Sequence, residues 1–146
     1  MERLLISACI LGISCRYDGQ SKMAITEQEL CSLKEKYQLV PFCPEIYGGL
    51  PTPRTPSERV GDEVYMKDGT RVTLRFEKGA SEALKLCRGL GIKKALLKAK
   101  SPSCGKGEIY DGSFSGTLRL GNGVCTELLL ENGIEVYTEN EIFELI

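Results

Sequence analysis

The chain has 146 residues, of which 42% are hydrophobic and 27% charged, and its 19 basic and 20 acidic side chains leave a net charge of −1. This length and composition are typical of a single globular domain, 1–146, and the balanced charge disfavours a nucleic-acid partner. Histidine is absent, which excludes catalytic triads and metal sites built on imidazole.

Cysteine is the unusual part of the composition, with seven in the chain. The first segment is typical of a strand rather than a secretion signal, and no apolar run approaches the roughly 20 residues that span a bilayer. We therefore expect a cytoplasmic protein without a membrane partner. In that reduced environment cysteines bind metal or do chemistry more often than they form disulfides.

Strand and helix signals alternate along the chain. Periodicity, capping boxes and turn residues predict these elements: strand 4–8, helix 27–37, strand 38–42, an irregular proline-rich segment 48–59, hairpin 62–73 with Asp68-Gly69 at its turn, helix 75–90, strand 94–98, a long loop 101–121, helix 122–132, strand 134–137 and a short final helix after Thr138. The alternation predicts an α/β fold, a small Rossmann-like three-layer domain with a mostly parallel sheet and a hairpin inserted after the second strand.

Three cysteines follow three predicted strands: Cys9, Cys43 and Cys104. Because the carboxyl ends of parallel strands share one edge of a sheet, we expect these thiols to converge there. Three thiolates fit two kinds of site. A structural zinc ion would need a fourth ligand, whereas an iron–sulfur cluster on three thiolates would keep one iron open for Lewis-acid chemistry.

The other four cysteines carry weaker signals. Cys31, Cys87 and Cys125 lie on predicted helices beside leucines, which favours packing in the core. Cys15 lies in the same loop as Cys9 and fits three roles: a fourth ligand, a resolving thiol or a bystander.

Four motifs stand out along the chain: SACILGISCRYDG (7–19), VPFCPEIYGGLPTPR (40–54), SPSCG (101–105) and IYDGSFSG (109–116). Together these motifs resemble a small bacterial family once labelled a domain of unknown function, whose members include the thiouracil desulfidases. They occur in the family's order and extend along almost the whole chain.

The resemblance implies a 4Fe–4S cluster on Cys9, Cys43 and Cys104, with the fourth iron free of protein ligands. It implies a non-redox desulfidase that converts thiouracil, or a related thiolated pyrimidine, to uracil and sulfide. Glu45, in the CPE motif, would be the acid–base group, and Ser101 would hydrogen-bond the substrate or the attacking water. With no histidine in the chain, a carboxylate near the cluster is the natural base.

Two further side chains are candidates for substrate contact. Ser103 lies beside Cys104 in a loop stiffened by Pro102. Arg16 follows the first cysteine loop. In its alternative role, Arg16 and Asp18 would hold that loop in place by hydrogen bonds. The alternative function for the whole chain is a non-catalytic thiolate module that binds metal or senses oxidants. A nucleotide-binding Rossmann module is disfavoured, because no GxGxxG follows the first strand.

Overall fold

The computed structural model describes residues 1–146, with eight strands and four α-helices. The strands are β1 (Glu2–Ser7), β2 (Tyr37–Phe42), β3 (Ser57–Val60), β4 (Glu63–Met66), β5 (Lys94–Leu97), β6 (Glu108–Tyr110), β7 (Leu118–Leu120) and β8 (Glu135–Thr138). The α-helices are α1 (Glu27–Lys36), α2 (Pro44–Tyr47), α3 (Thr73–Leu90) and α4 (Val124–Glu131), and single 3₁₀ helices span Ala8–Leu11 and Glu139–Glu144.

Four strands form one parallel sheet in the order β2-β1-β5-β8. Successive side chains of β1 alternate between two cores, as the period of a strand requires. Leu5 packs with residues of α3 and α4 on one face, whereas Leu4 and Ile6 pack with Leu33 of α1 and Leu145 on the other. Helices therefore cover both faces of the sheet, and the predicted α/β three-layer architecture is confirmed.

The predicted capping residues lie at the ends of the helices. Thr26 and Glu29 form a reciprocal capping box at the start of α1, and Thr138 forms another at the final 3₁₀ helix. Gly91 ends α3 in the left-handed conformation, with φ at 67°. None of the helices combines the length and the apolar character needed to span a membrane.

The inserted hairpin follows the second strand, as predicted, but its position differs. We expected it at 62–73; it is formed by β3 and β4, which turn at Gly61. Asp68 does make a tight turn, accepting a hydrogen bond from the Thr70 amide at 3.0 Å, but the chain beyond it makes one bridge to β4 and then enters α3. The sequence did not predict the first strand of the hairpin, because three prolines lie shortly before Ser57 and favour an irregular segment.

The predicted loop 101–121 also contains structure. Strands β6 and β7 pair as a second small hairpin. Each has only three residues, too few for an alternating pattern to emerge among the surrounding glycines and serines.

Helix α2 packs directly on the backbone of α3. A Cβ atom built on Gly79 would overlap the carbonyl oxygen of Pro44, so only glycine permits this contact. Since Cys43 is the N-cap of α2 and Glu45 lies within the helix, the contact sets the position of both residues against the sheet.

We expect Gly79→Ala to lower the free energy of unfolding by about 1–3 kcal/mol, because the added methyl group overpacks the contact between α2 and α3. Gly89→Ala is the matched control: it lies on the same helix, meets no atom within 4 Å and should be neutral or stabilising by up to about 1 kcal/mol. Thermal unfolding of both variants tests this. Equal midpoints would show that α2 adjusts freely.

Candidate metal centre and active site

One cavity of about 520 Å³ lies at the carboxyl ends of β1, β2 and β5. Strand β1 has β2 on one side and β5 on the other, so the strand order changes direction at β1. In an open α/β sheet, ligands bind at the carboxyl ends of the strands at such a position. The cavity has the size of a small-molecule site. Its lining includes all seven residues predicted from the sequence to act here: Cys9, Arg16, Cys43, Glu45, Ser101, Ser103 and Cys104.

The loop after β1 brings two cysteines to the cavity. Cys9 lies in the first 3₁₀ helix, whose end is closed by Gly12 at φ 87° with its amide donating to the Cys9 carbonyl at 3.1 Å. The chain then folds back and buries Cys15. A hydrogen bond with the Cys43 thiol lowers the pKa of Cys15. A hydrogen bond with Cys9 and burial both raise it, and together they have the larger effect, so the pKa of Cys15 is about 11.

Cys43 follows β2 directly and occupies the N-cap of α2. Its carbonyl accepts from the Tyr47 amide at 3.0 Å, and its Sγ lies 3.9 Å from the Cys15 carbonyl oxygen. The hydrogen bond with the Cys15 thiol, together with burial, raises the pKa of Cys43 well above its ordinary value.

The loop that carries Cys104 is held by the start of α4. Helix amides that lack intrahelical partners donate to this loop: Val124 to the Pro102 carbonyl at 2.8 Å and Cys125 to the Ser103 carbonyl at 2.9 Å. Thr126 adds a hydroxyl bond of 2.7 Å to the carbonyl of Cys104. The orphan donors of the helix are thereby satisfied, and the loop becomes rigid.

Cys104 itself is 4% exposed, the most enclosed of the four cavity cysteines. Burial raises the pKa of its thiol to about 12, although hydroxyl groups of Ser7 and Ser103 lie 3.5 and 3.6 Å from its Sγ. Such thiols are protonated at neutral pH. A bound metal would offset the burial cost of the thiolates and release protons.

Glu45 forms a buried ion pair with Arg54. The Oε1 atom of Glu45 accepts from Arg54 Nη2 at 2.9 Å and Nε at 3.2 Å, and the two side chains are 14% and 4% exposed. Its Oε2 atom accepts from the Ser103 hydroxyl at 2.8 Å. The carboxylate of the CPE motif is therefore held at both oxygens beside the cysteines.

Arg54 connects three segments around the cavity, a role that sequence reasoning missed. Besides Glu45, it donates to the carbonyl oxygens of Cys15 and Pro51, each at 3.1 Å. Its own amide donates to the Tyr17 carbonyl at 2.7 Å. The only signal in the sequence was a single arginine among prolines in LPTPR.

The two serines have different contacts. The hydroxyl of Ser101 accepts from the Cys104 amide at 2.8 Å and so shapes the loop. Ser103 is the serine that donates to Glu45. Arg16 also lines the cavity. Its guanidinium makes one long ion pair with Asp18, 3.9 Å between Nη2 and Oδ2, so this pair holds the loop only weakly.

The three helical cysteines do not line the cavity. Cys87 and Cys125 are buried in the core, as predicted. Cys31 was expected to pack as well, but it is exposed, because α1 turns Leu33 rather than Cys31 towards the sheet. All seven cysteines are free thiols.

The cavity cysteines suit an iron–sulfur cluster by their chemistry. No group of three or more Cys, Asp or Glu side chains is spaced to hold one metal ion directly. In an iron–sulfur cluster each thiolate binds a different iron, so its ligands need not meet at one point. Cysteines from three strand ends, in a cavity with two hydroxyl groups near the sulfur atom of Cys104, fit that requirement.

Comparisons with known proteins show the family of this chain. The model of the 2-thiouracil desulfurase family matches residues 4–141. The protein YbbK of Bacillus subtilis (strain 168), described as uncharacterized, is 34% identical over 153 aligned positions, covering 98% of this chain and 99% of YbbK. The solved structure of the [4Fe-4S]-dependent thiouracil desulfidase TudS (DUF523Vcz) superposes with a TM-score of 0.94 at 48% identity, covering 99% of this chain and 95% of that one. By sequence motifs, family model and fold alike, the chain belongs to the 2-thiouracil desulfurase family.

Proposed function

We propose that this protein is a desulfidase that converts thiouracil, or a related thiolated pyrimidine, to uracil and sulfide with the help of a 4Fe–4S cluster. One observation carries the proposal: the Glu45 carboxylate, held by Arg54 and Ser103, lines the same cavity as three cysteines from three strand ends. The reaction is non-redox, because water supplies the oxygen that replaces sulfur and the sulfur leaves as sulfide.

Cys9, Cys43 and Cys104 are the proposed ligands of the cluster. When bound there, the cluster supplies an iron without a protein ligand, a Lewis acid for the soft sulfur of the substrate. The hydrogen bonds between the Cys104 loop and α4 hold Cys104 in place, and the contact of α2 with α3 holds Cys43. This preorganisation is what a precise site requires.

Glu45 is the proposed base. A water molecule that attacks the thiolated carbon must lose a proton, and a carboxylate at the cavity can accept it. Arg54 bonds only to Oε1, so Oε2 is the oxygen available for the proton. The Ser103 hydroxyl, now bonded to Oε2, keeps that atom oriented and can turn to the incoming water.

Ser101 and Arg16 have supporting roles in this proposal. Ser101 holds the Cys104 loop by accepting a hydrogen bond from the amide of that cysteine. Its hydroxyl group also lies 3.4 Å from that of Ser103, so the two serines together present hydroxyl groups to the substrate or the water. The Arg16 guanidinium lines the cavity without a close partner and suits a ring carbonyl of a pyrimidine.

We also propose that the protein acts in the cytoplasm on a small molecule, without a nucleic-acid or membrane partner. Seven unpaired thiols suit a reducing compartment. The near-balanced charge suits a small neutral substrate rather than a polyanion.

Anaerobic reconstitution tests this function. The protein is treated with iron and sulfide, iron is counted per chain, the visible spectrum is recorded, and 2- and 4-thiouracil are added while uracil and sulfide are measured. We expect about four irons per chain and stoichiometric release of both products. Tight zinc binding in place of a cluster, with no product, would support the alternative thiolate module instead.

A further inference from the structure

Two residues other than glycine adopt positive φ angles, and both line the cavity: Lys100 at 72° and Phe114 at 56°. A bulky side chain rarely occupies this region of backbone space. Such outliers persist only where the surrounding structure enforces them, and they concentrate at functional sites. Phe114 belongs to the IYDGSFSG motif, which the proposed chemistry leaves without a role.

A buried carboxylate imposes the conformation of Phe114. Glu58, 9% exposed on β3, accepts two backbone amides at the same oxygen, Gly112 at 2.9 Å and Phe114 at 3.1 Å. Gly112 has φ 97°, and a Cβ atom there would overlap the side chain of Val60. The turn between β6 and β7 is thus clamped onto the inserted hairpin.

The hairpin is in turn anchored to the part of the fold that carries Cys104. Arg59, the residue after Glu58, is buried and donates to the Asn122 carbonyl and to the Glu127 carboxylate, both at 2.7 Å. Glu127 lies in the first turn of α4, whose amides hold the Cys104 loop. Phe114 therefore has a defined position relative to the cysteines, although it lies on a turn.

We propose that Phe114 contacts the face of the substrate's pyrimidine ring and is a specificity-determining residue, with Glu58 as its positioning residue. The inference rests on the proposed function. Polar groups can grip a pyrimidine only at its edges, whereas an aromatic side chain can stack on its face, as aromatic residues do with nucleobases. The clamp by Glu58 fixes the backbone of Phe114 before binding, which lowers the entropy cost of ordering this turn when the substrate binds.

The test compares three substitutions in the cluster-loaded protein. Phe114→Leu removes the aromatic face but keeps a Cβ atom, so the backbone constraint is unchanged; Phe114→Tyr keeps the face. We expect KM for thiouracil to rise about tenfold in the first and to stay within about twofold in the second, with kcat nearly unchanged in both. Phe143→Leu, on a side chain that is 70% exposed, is the matched control.

Direct binding provides a readout without turnover. Equilibrium dialysis against labelled uracil, the product, should show about tenfold weaker binding for Phe114→Leu and no change for the Phe143 control. Glu58→Ala should weaken binding to a similar degree, and the double variant Glu58→Ala/Phe114→Leu should be no worse than either single change, because both remove the same contact.

The outcomes separate the two proposals. If the unaltered protein releases no sulfide from thiouracil, the proposed function fails, whatever the variants do. If it does release sulfide and Phe114→Leu keeps both KM and uracil affinity, the role of Phe114 is refuted. An equally large loss in Phe114→Tyr, or additive losses in the double variant, would also overturn it.

Discussion

Glu45→Gln is expected to cause a large loss of turnover while the cluster stays bound. The amide is isosteric and still offers an oxygen to Arg54, but it cannot take the proton of the attacking water. General-base catalysis contributes about 10²- to 10⁴-fold, so kcat should fall by that factor. Sulfide release under anaerobic conditions measures the loss, and iron content with the visible spectrum measures cluster retention.

The same substitution should lower the free energy of unfolding by only about 1–3 kcal/mol. Arg54 loses a charged partner but keeps its bonds to the carbonyls of Cys15 and Pro51. Glu82→Gln, on the solvent side of α3 beside Lys85, is the control and should change neither property. Normal turnover in Glu45→Gln would rule out this carboxylate as the base.

Removing any one proposed ligand is expected to remove the cluster. Cys9→Ala, Cys43→Ala and Cys104→Ala should each reduce reconstituted iron from about four atoms per chain towards zero, because two thiolates cannot hold a cubane that needs three. Turnover should vanish with the iron. Iron analysis after desalting, together with the visible absorption of the cluster, measures this effect.

Two other cysteines are controls for the same experiment. Cys31→Ala changes an exposed thiol outside the cavity and should have no effect. Cys15→Ala is the sharper comparison, because the Cys15 thiol lies beside Cys9 and Cys43 in the cavity. We expect it to retain iron and turnover; loss of iron on this substitution would mean that four thiolates bind the metal and that no iron stays open.

The pattern of the sequence was sufficient to predict the central sheet and the convergence of three cysteines at its edge. Short apolar runs, capping boxes and glycine helix ends act within a few residues, so they predict where strands and helices lie. Once four strands are parallel, the ends of β1, β2 and β5 must share an edge. Cys9, Cys43 and Cys104 meet at the cavity for that reason.

The inserted hairpin and the small hairpin of β6 and β7 were harder to predict. Both consist of strands of three or four residues, too short for a clear local pattern. Buried charged side chains of β3 join the two hairpins to each other and to α4. Glu58 and Arg59 read in the sequence as part of a polar, proline-flanked loop. Their partners in the β6–β7 turn and in α4 lie more than fifty residues away.

Arg54 and Ser103 illustrate what only the tertiary structure decided about the site. The sequence by itself determined which residue types are available: no histidine, three cysteines at strand ends and a carboxylate two residues after one of them. It did not determine that the carboxylate of Glu45 pairs with Arg54 and with the serine beside Cys104. Hydrogen bonds of this kind join segments distant in the chain and act over about 3 Å, so they exist only after the sheet, α2 and α4 have packed together.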